Sequence, residues 1–368
     1  MENPDCKEAP TKIMLGMSFF EPSVDEASRT AKAFSEALPS SACVVLGVET
    51  GDLTRDTAKM KSFVHDRLTE PWGERRLYIW DDSSDKRFFP HWPRYYPKPF
   101  GRFFLHLPQY YPKPFYKGFS YGGTVNRLLA LAAIADCKYL IRIDPGTRPP
   151  YYSREMFQRH VDAIKSGEAA VTSGLYTDRI ALRDDFVPRD KKGDYYEFVQ
   201  IYTGVDPYRQ ITGGAAFTVG VFTGPPAIPF PGFTPVWASD DGFYASICGS
   251  KALLFPESRV HRSYPGQAAR HGKEYPVRLA SMVVLRQLFS GASEDIAIGA
   301  GMEFLQQLKE RGFYRQFILA DANAELKKRS QNIVTGWKNY EYLRKDWVEI
   351  LQVIVRVASA NCECYLDA

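Results

Sequence analysis

Acidic residues recur in this sequence just after runs of hydrophobic ones. Glu49 follows Ala42–Val48 (ACVVLGV), Asp81 and Asp82 follow Arg76–Trp80 (RLYIW), and Asp144 follows Lys138–Ile143 (KYLIRI). A further pair, Asp240-Asp241, stands before a short helical stretch, Gly242–Cys248. A carboxylate in such a place can contact a ribose hydroxyl, a base edge or a metal, or take a proton from an attacking hydroxyl. It can also cap the next helix, and for Asp240-Asp241 the two roles are compatible. Arg142, Arg148, Arg259, Arg262 and Arg270 can offset phosphate charge. His261, in Arg259-Val260-His261-Arg262, is either a site residue or a surface histidine in a loop. Gly213 and Gly214, in Thr212-Gly213-Gly214-Ala215-Ala216-Phe217, allow the backbone to come close to a ligand.

The elements that must position these residues alternate. Lys12–Phe19 predicts a strand, and Val24–Leu38 predicts a helix with Val24, Ala27, Ala31, Phe34 and Leu38 on one face. Ala42–Val48 reads as a buried parallel strand, Thr54–Leu68 as a helix and Arg76–Trp80 as a third strand. Thr124–Ala135, Lys138–Ile143, Tyr152–Ser166 and Ala169–Ser173 continue the helix–strand alternation. A loop-rich region to Gln210, a turn into a strand at Phe217, and a strand at Ala252–Phe255 follow. The fold class expected is α/β, with a parallel, right-handed βαβ sheet and its ligand outside the carboxyl ends of the strands. From about Glu274 to Val357 the pattern is helical. Trp347, Ile350, Leu351, Ile354 and Val357 form an apolar stripe there, either core or a partner surface. The expected division is residues 1–272 and a helical C-terminal region, 273–368.

An irregular Pro/aromatic insertion occupies about 83–117 and holds YYPKPF twice, at Tyr95–Phe100 and Tyr110–Phe115. It is either a lid or acceptor platform or a duplicated surface segment. The 368 residues carry a net charge of +4, which gives no reason to expect a nucleic-acid partner. The start, MENPDCKEAPTK, lacks a signal-peptide pattern, and no long apolar run predicts a transmembrane segment. With six cysteines and no framework of pairs beyond the C-x-C at Cys362 and Cys364, a reducing cytoplasm is the expected compartment; peripheral membrane association is a further option.

The order of Glu49-Thr50-Gly51-Asp52, Gly122-Gly123-Thr124-Val125-Asn126, Asp144-Pro145-Gly146, the Gly213-Gly214 turn and Asp240-Asp241 resembles nucleotide-sugar glycosyltransferases of the GT-A fold, which implies a Rossmann-like mixed sheet flanked by helices with a helical C-terminal extension. It is similar in layout to the large inverting family of polysaccharide synthases and bacterial transferases, over roughly residues 12–262. The resemblance implies a nucleotide-sugar donor and a carbohydrate, lipid-linked or protein acceptor. It implies Phe20, Glu21, Pro22 and Glu49 at the nucleoside, and Asp144, Arg142 and Asn126 at the donor. Gly213 and Gly214 would lie beside a sugar. Asp241, with Asp240, would supply the general base, and Asp144 with His261 would hold Mg²⁺ or Mn²⁺. Gly146 stands where the family has the second acid of Asp-x-Asp, so arginines are the alternative for offsetting the diphosphate charge. Two other classes are a catalytically degenerate sugar- or partner-binding protein of the same fold and a sugar nucleotidyltransferase. The latter would carry a glycine-rich basic signature after the first strand, where this chain has MSFFEPSVDE.

Overall fold

The computed structural model describes residues 12–18, 24–37, 43–49, 77–80, 121–143, 147–148, 153–176, 187–204, 215–221, 229, 244, 247–262, 268–314 and 318–360. In chain order its elements are β1 (Lys12–Ser18), α1 (Val24–Ala37), β2 (Cys43–Glu49), β3 (Leu77–Trp80), α2 (Tyr121–Ile134), β4 (Tyr139–Ile143) and β5 (Thr147–Arg148). Then come α3 (Ser153–Lys165), β6 (Val171–Tyr176), α4 (Lys192–Thr203), β7 (Ala215–Val221), β8 (Ala252–Arg262), α5 (Ala268–Phe289), α6 (Glu294–Glu310) and α7 (Leu319–Ala360). The expected helix at Thr54–Leu68 and the insertion at 83–117 lie outside the described residues.

The strands form one eight-stranded sheet in the order β3-β2-β1-β4-β7-β6-β8-β5. β3, β2, β1 and β4 are mutually parallel, and β6 is parallel to β8. β7 runs against both β4 and β6, and β5 runs against β8. Helices cover both faces. On one face Ile13, Leu15, Met17, Leu46, Val48, Ile141 and Ile143 pack with Phe34 of α1 and Val161 and Ile164 of α3. On the other, Met14, Val45, Trp80 and Leu140 pack with Leu128, Leu129 and Ala132 of α2. Alternation along each strand sends successive side chains to the two faces, so the hydrophobic runs reflect burial on both sides.

Close packing under α2 depends on a glycine. Gly16 faces it from the middle of β1, and a methyl group there would stand 2.6 Å from Leu140 Cδ1 and 3.1 Å from Leu128 Cδ1. Both leucines are buried, so neither has open space to retreat into. Gly16→Ala is expected to cost about 1–3 kcal/mol through overpacking. A lowered urea midpoint with unchanged slope would register that loss; an unchanged midpoint would mean that α2 does not sit this close.

The C-terminal helices build a second core and also complete the first. Phe198 and Val199 of α4, Val283 and Leu285 of α5, Phe304 and Leu308 of α6, and Leu326 and Ile333 of α7 share one cluster. Further along α7, Trp347, Ile350, Leu351 and Ile354 join the cluster of α2 and the sheet, with Val357 packed beside them. The apolar stripe is therefore core and not a partner surface. It also explains why α2 is apolar all round: it lies between the sheet and α7.

Three expectations are corrected. The region before Gln210 is not all loop, because α4 occupies Lys192–Thr203 and buries Tyr195, Phe198, Val199 and Thr203 at helical spacing. β8 does not stop at Phe255 but runs to Arg262, which puts His261 in a strand and not in a surface loop. α2 starts at Tyr121, so Gly122 and Gly123 lie within its first turn. The end of the first region expected from sequence, residue 272, falls within α5.

Candidate functional site

Strand register brings the ends of seven strands to one edge of the sheet. Ser18 is paired with Glu49, Glu49 with Trp80, and Met17 with Ile143. Ile143 is in turn opposite Phe217, near the start of the reversed strand β7. Leu175 is opposite Ala215, and Tyr176 is paired with Val260 of β8. The segments that follow or precede these ends in the chain hold residues expected at the site from sequence: Phe20-Glu21-Pro22 after β1, Asp144 directly after β4, Gly213-Gly214 directly before β7, and His261 beside Val260.

The end of β8 must bend toward β4. In a flat sheet β5 would stand four strand spacings from β4, roughly 19 Å. Only three residues separate Ile143 from Thr147, and four steps of extended chain reach about 14 Å at most. β5 is paired to the last residues of β8, Thr147 with Arg262 and Arg148 with His261. Those residues must therefore curl back over the edge. β8 has the irregularity that permits it: Ser173 pairs with Leu254, yet Leu175, two residues on, pairs with Arg259. Pro256, which has no N–H to give a ladder, lies in that interruption. The backbone of His261 is thus carried toward the strand end from which Asp144 continues, and Arg148 and Arg259 come with it.

Asn126 and Arg142 are described in full. Asn126 is buried in α2, next to a buried Arg127, and Arg142 is buried in β4 with Gly16 on one neighbouring strand and Thr218 on the other. Arg127 was not singled out from the sequence. Its signal was available: it is the one charged residue within Tyr121–Ile134 (YGGTVNRLLALAAI), and buried arginines in such helices need acceptors. Glu49 ends β2 at the edge. Phe20, Glu21, Pro22, Asp144, Gly213, Gly214, Asp240 and Asp241 lie outside the described residues. Among the described residues no group of three His, Cys, Asp or Glu comes together as a metal site.

Two buried polar groups are structural. His160 Nδ1 lies 2.8 Å from Thr172 Oγ1, and its ring meets Phe255 edge-on at 4.8 Å. Burial, helped by the nearby Arg159 charge, lowers its pKa to about 3, so it stays neutral and acts as a core spacer. Cys248 is only partly covered as a residue, but its thiol end lies within protein, beside the Tyr244 hydroxyl. Burial pushes that thiol up to about 12, against a smaller opposing effect of the Tyr244 hydrogen bond. It is neither a nucleophile nor a ready metal ligand.

Solved structures similar to this chain include the following three. One is the mannosyltransferase PcManGT from Pyrobaculum calidifontis in complex with GDP-Man and Mn²⁺, at 9% identity and TM-score 0.42, covering 96% of this chain and 87% of that one. Another is glucosyl-3-phosphoglycerate synthase from Mycobacterium tuberculosis with Mn²⁺, UDP and phosphoglyceric acid, at 9% identity and TM-score 0.40, covering 77% and 80%. A third is S. aureus TarS 1–349, at 10% identity and TM-score 0.42, covering 96% and 92%. No protein-family model matches the chain, and no curated protein matches it in sequence. The α/β class, a Rossmann-like mixed sheet flanked by helices with a helical C-terminal part, rests on the strand order and directions and not on these alignments, whose TM-scores are below 0.5.

Proposed function

We propose that this chain is a nucleotide-sugar-dependent glycosyltransferase, moving a sugar to a hydroxyl of a carbohydrate, lipid-linked or protein acceptor. The observation that carries the reading is the single edge to which register brings the ends of β1, β2, β3, β4, β6 and β8 and the start of β7. Open α/β sheets bind ligands at such an edge. In this proposal Glu49 and Phe20-Glu21-Pro22 meet the nucleoside, Asp144 meets the ribose and diphosphate, and Gly213-Gly214 admit the sugar. Asp241, with Asp240 beside it, takes the proton of the acceptor hydroxyl as that oxygen attacks the anomeric carbon. The bond from that carbon to the diphosphate breaks, and its electron pair leaves with the nucleoside diphosphate.

The leaving charge must be offset. Asp144 and His261 offer an oxygen and a nitrogen donor that suit a divalent cation, and the bend of β8 is what supports their pairing. Such a cation would supply charge neutralisation at the diphosphate. Arg148 and Arg262, on the β5–β8 ladder, and Arg259, earlier in β8, would do so without it.

The test is a panel of radiolabelled UDP- and GDP-sugars incubated with the full chain, with and without Mn²⁺. Slow release of free sugar and nucleoside diphosphate from one member is the expected result. Saturable binding without turnover of any donor would instead identify a binding protein, the reading that Gly146 favours. Pyrophosphate-dependent NTP exchange would identify a nucleotidyltransferase.

A further inference from the structure

A cleft opens beside the C-terminal end of α3, where the chain turns back into the start of β6. Its volume is about 520 Å³, within the ~300–1,000 Å³ typical of ligand sites, and Gln158, Arg159, Asp162, Ser166, Glu168 and Phe255 are among the residues that line it. It lies at the edge of the sheet opposite the strand ends described above: Ala170 N donates to the Lys251 carbonyl at 2.8 Å, just before Val171 and Ala252 pair as the first residues of β6 and β8. The walls are held without a ligand. The Arg159 guanidinium lies 4.3 Å over the Phe255 ring, and Gln158 Nε2 donates to Asp162 Oδ1 at 2.7 Å. α3 closes with Gly167 in the left-handed region, at φ 79°, and Ala169 N donates to the Ala163 carbonyl at 2.9 Å. Ser166 Oγ crosses that turn, donating to the Ala163 carbonyl at 3.1 Å and accepting from Glu168 N at 3.4 Å.

The lining mixes donors and acceptors within about one turn of helix. Gln158 and Arg159 supply N–H groups, Asp162 and Glu168 supply carboxylates, and the buried Ala163 and Phe255 lie beneath them as an apolar floor. A carboxylate accepts several hydrogen bonds, so Asp162 keeps capacity beyond the bond from Gln158. A simple ion needs partners of one sign, whereas a hydroxyl both donates and accepts. We propose that this cleft is a glycan-binding subsite that takes a neutral sugar unit, with hydroxyls donating to Asp162 and Glu168 and accepting from Arg159. α3 starts shortly after Arg148, which pairs with His261 at the strand-end edge, and its 13 residues carry the chain about 20 Å to the cleft. An acceptor that reaches both places is therefore an oligosaccharide and not a single sugar. That acceptor role rests on the glycosyltransferase reading; the binding of a glycan does not.

An array of neutral, uronic-acid-containing and sialylated oligosaccharides, probed with the labelled full chain and no nucleotide, makes the test. The wild type is expected to retain neutral members over anionic ones, because two carboxylates face one guanidinium in the lining. Asp162→Ala is expected to weaken binding of the best-retained oligosaccharide by about 10- to 100-fold, the range for losing hydrogen bonds to a charged group. Lys165→Ala, an exposed change on the same helix and outside the lining, is expected to bind as the wild type does. With that oligosaccharide as acceptor and a sugar nucleotide that the wild type hydrolyses as donor, D162A is expected to raise the acceptor KM by a similar factor at unchanged kcat. No retained oligosaccharide, a preference for anionic ones, or equal binding by the wild type and D162A overturns the proposal. Donor hydrolysis seen beside such a result leaves the glycosyltransferase reading standing without the cleft. If D162A loses a neutral glycan that the wild type holds and no sugar nucleotide is hydrolysed, the cleft stands as a glycan site and the glycosyltransferase reading fails.

Discussion

Asp241→Asn is expected to lower donor turnover by about 10²- to 10⁴-fold, the range for loss of a positioned general base, while saturable donor binding remains. Asparagine keeps the shape and accepts hydrogen bonds but cannot take a proton at neutral pH. It also resolves the competing role of this position. Asn and Asp are equally good N-caps, whereas alanine at an N-cap costs about 1 kcal/mol. If Asp241 only caps the helix that follows, D241N changes neither turnover nor stability, and Asp241→Ala lowers the melting temperature. If it is the base, D241N loses turnover without losing stability. Asp240→Asn, made beside it, assigns the role within the pair. Turnover lost in D240N and kept in D241N would move the base by one residue. The measurement is single-donor hydrolysis under saturating substrate, with nucleotide binding followed by calorimetry on the same preparations.

The parts of the fold that sequence made legible are those where one period dominates. KIMLGMS, CVVLGVE and YLIRI are mostly apolar, and their expected strand ends agree with the structure to within about a residue. α4 escaped notice because Arg189–Asp194 is polar and contains Gly193, so its apolar stripe only begins at Tyr195. β8 looked short because Pro256, Glu257 and Ser258 resemble a turn, and pairing resumes at Arg259 after a register shift that no local pattern announces. The C-terminal stripe was legible as a stripe, but what covers it is a long-range fact. The uniform apolarity of Leu128–Ala133 held the missing half, since a helix buried on all sides needs a second cover. The strands that precede Glu49, Asp81 and Asp144 in the sequence do end at one edge of the sheet. The bend that carries His261 toward β4 could not be read from spacing, because it joins residues distant in the chain.

Phe304→Ala is expected to destabilise the chain by about 3–5 kcal/mol, the cost of emptying a large aromatic site in a packed core. Phe304 is fully buried at the centre of the helical cluster. Its ring stacks on Phe198 at 5.1 Å with only 17° between planes, and meets Tyr202 edge-on at 5.3 Å. Phe198 is held in turn by Phe313 at 5.7 Å and by the Arg311 guanidinium at 4.9 Å over its ring. Truncation therefore removes ring contacts as well as apolar burial, and Leu305 and Leu308, both fully buried, cannot collapse inward without leaving their own contacts. Against a total of about 5–15 kcal/mol, that loss is large. Ile296→Ala on the same helix, at a position 62% exposed, should stay within about 0.5 kcal/mol and serves as the comparison. Urea unfolding of both variants followed by circular dichroism makes the measurement.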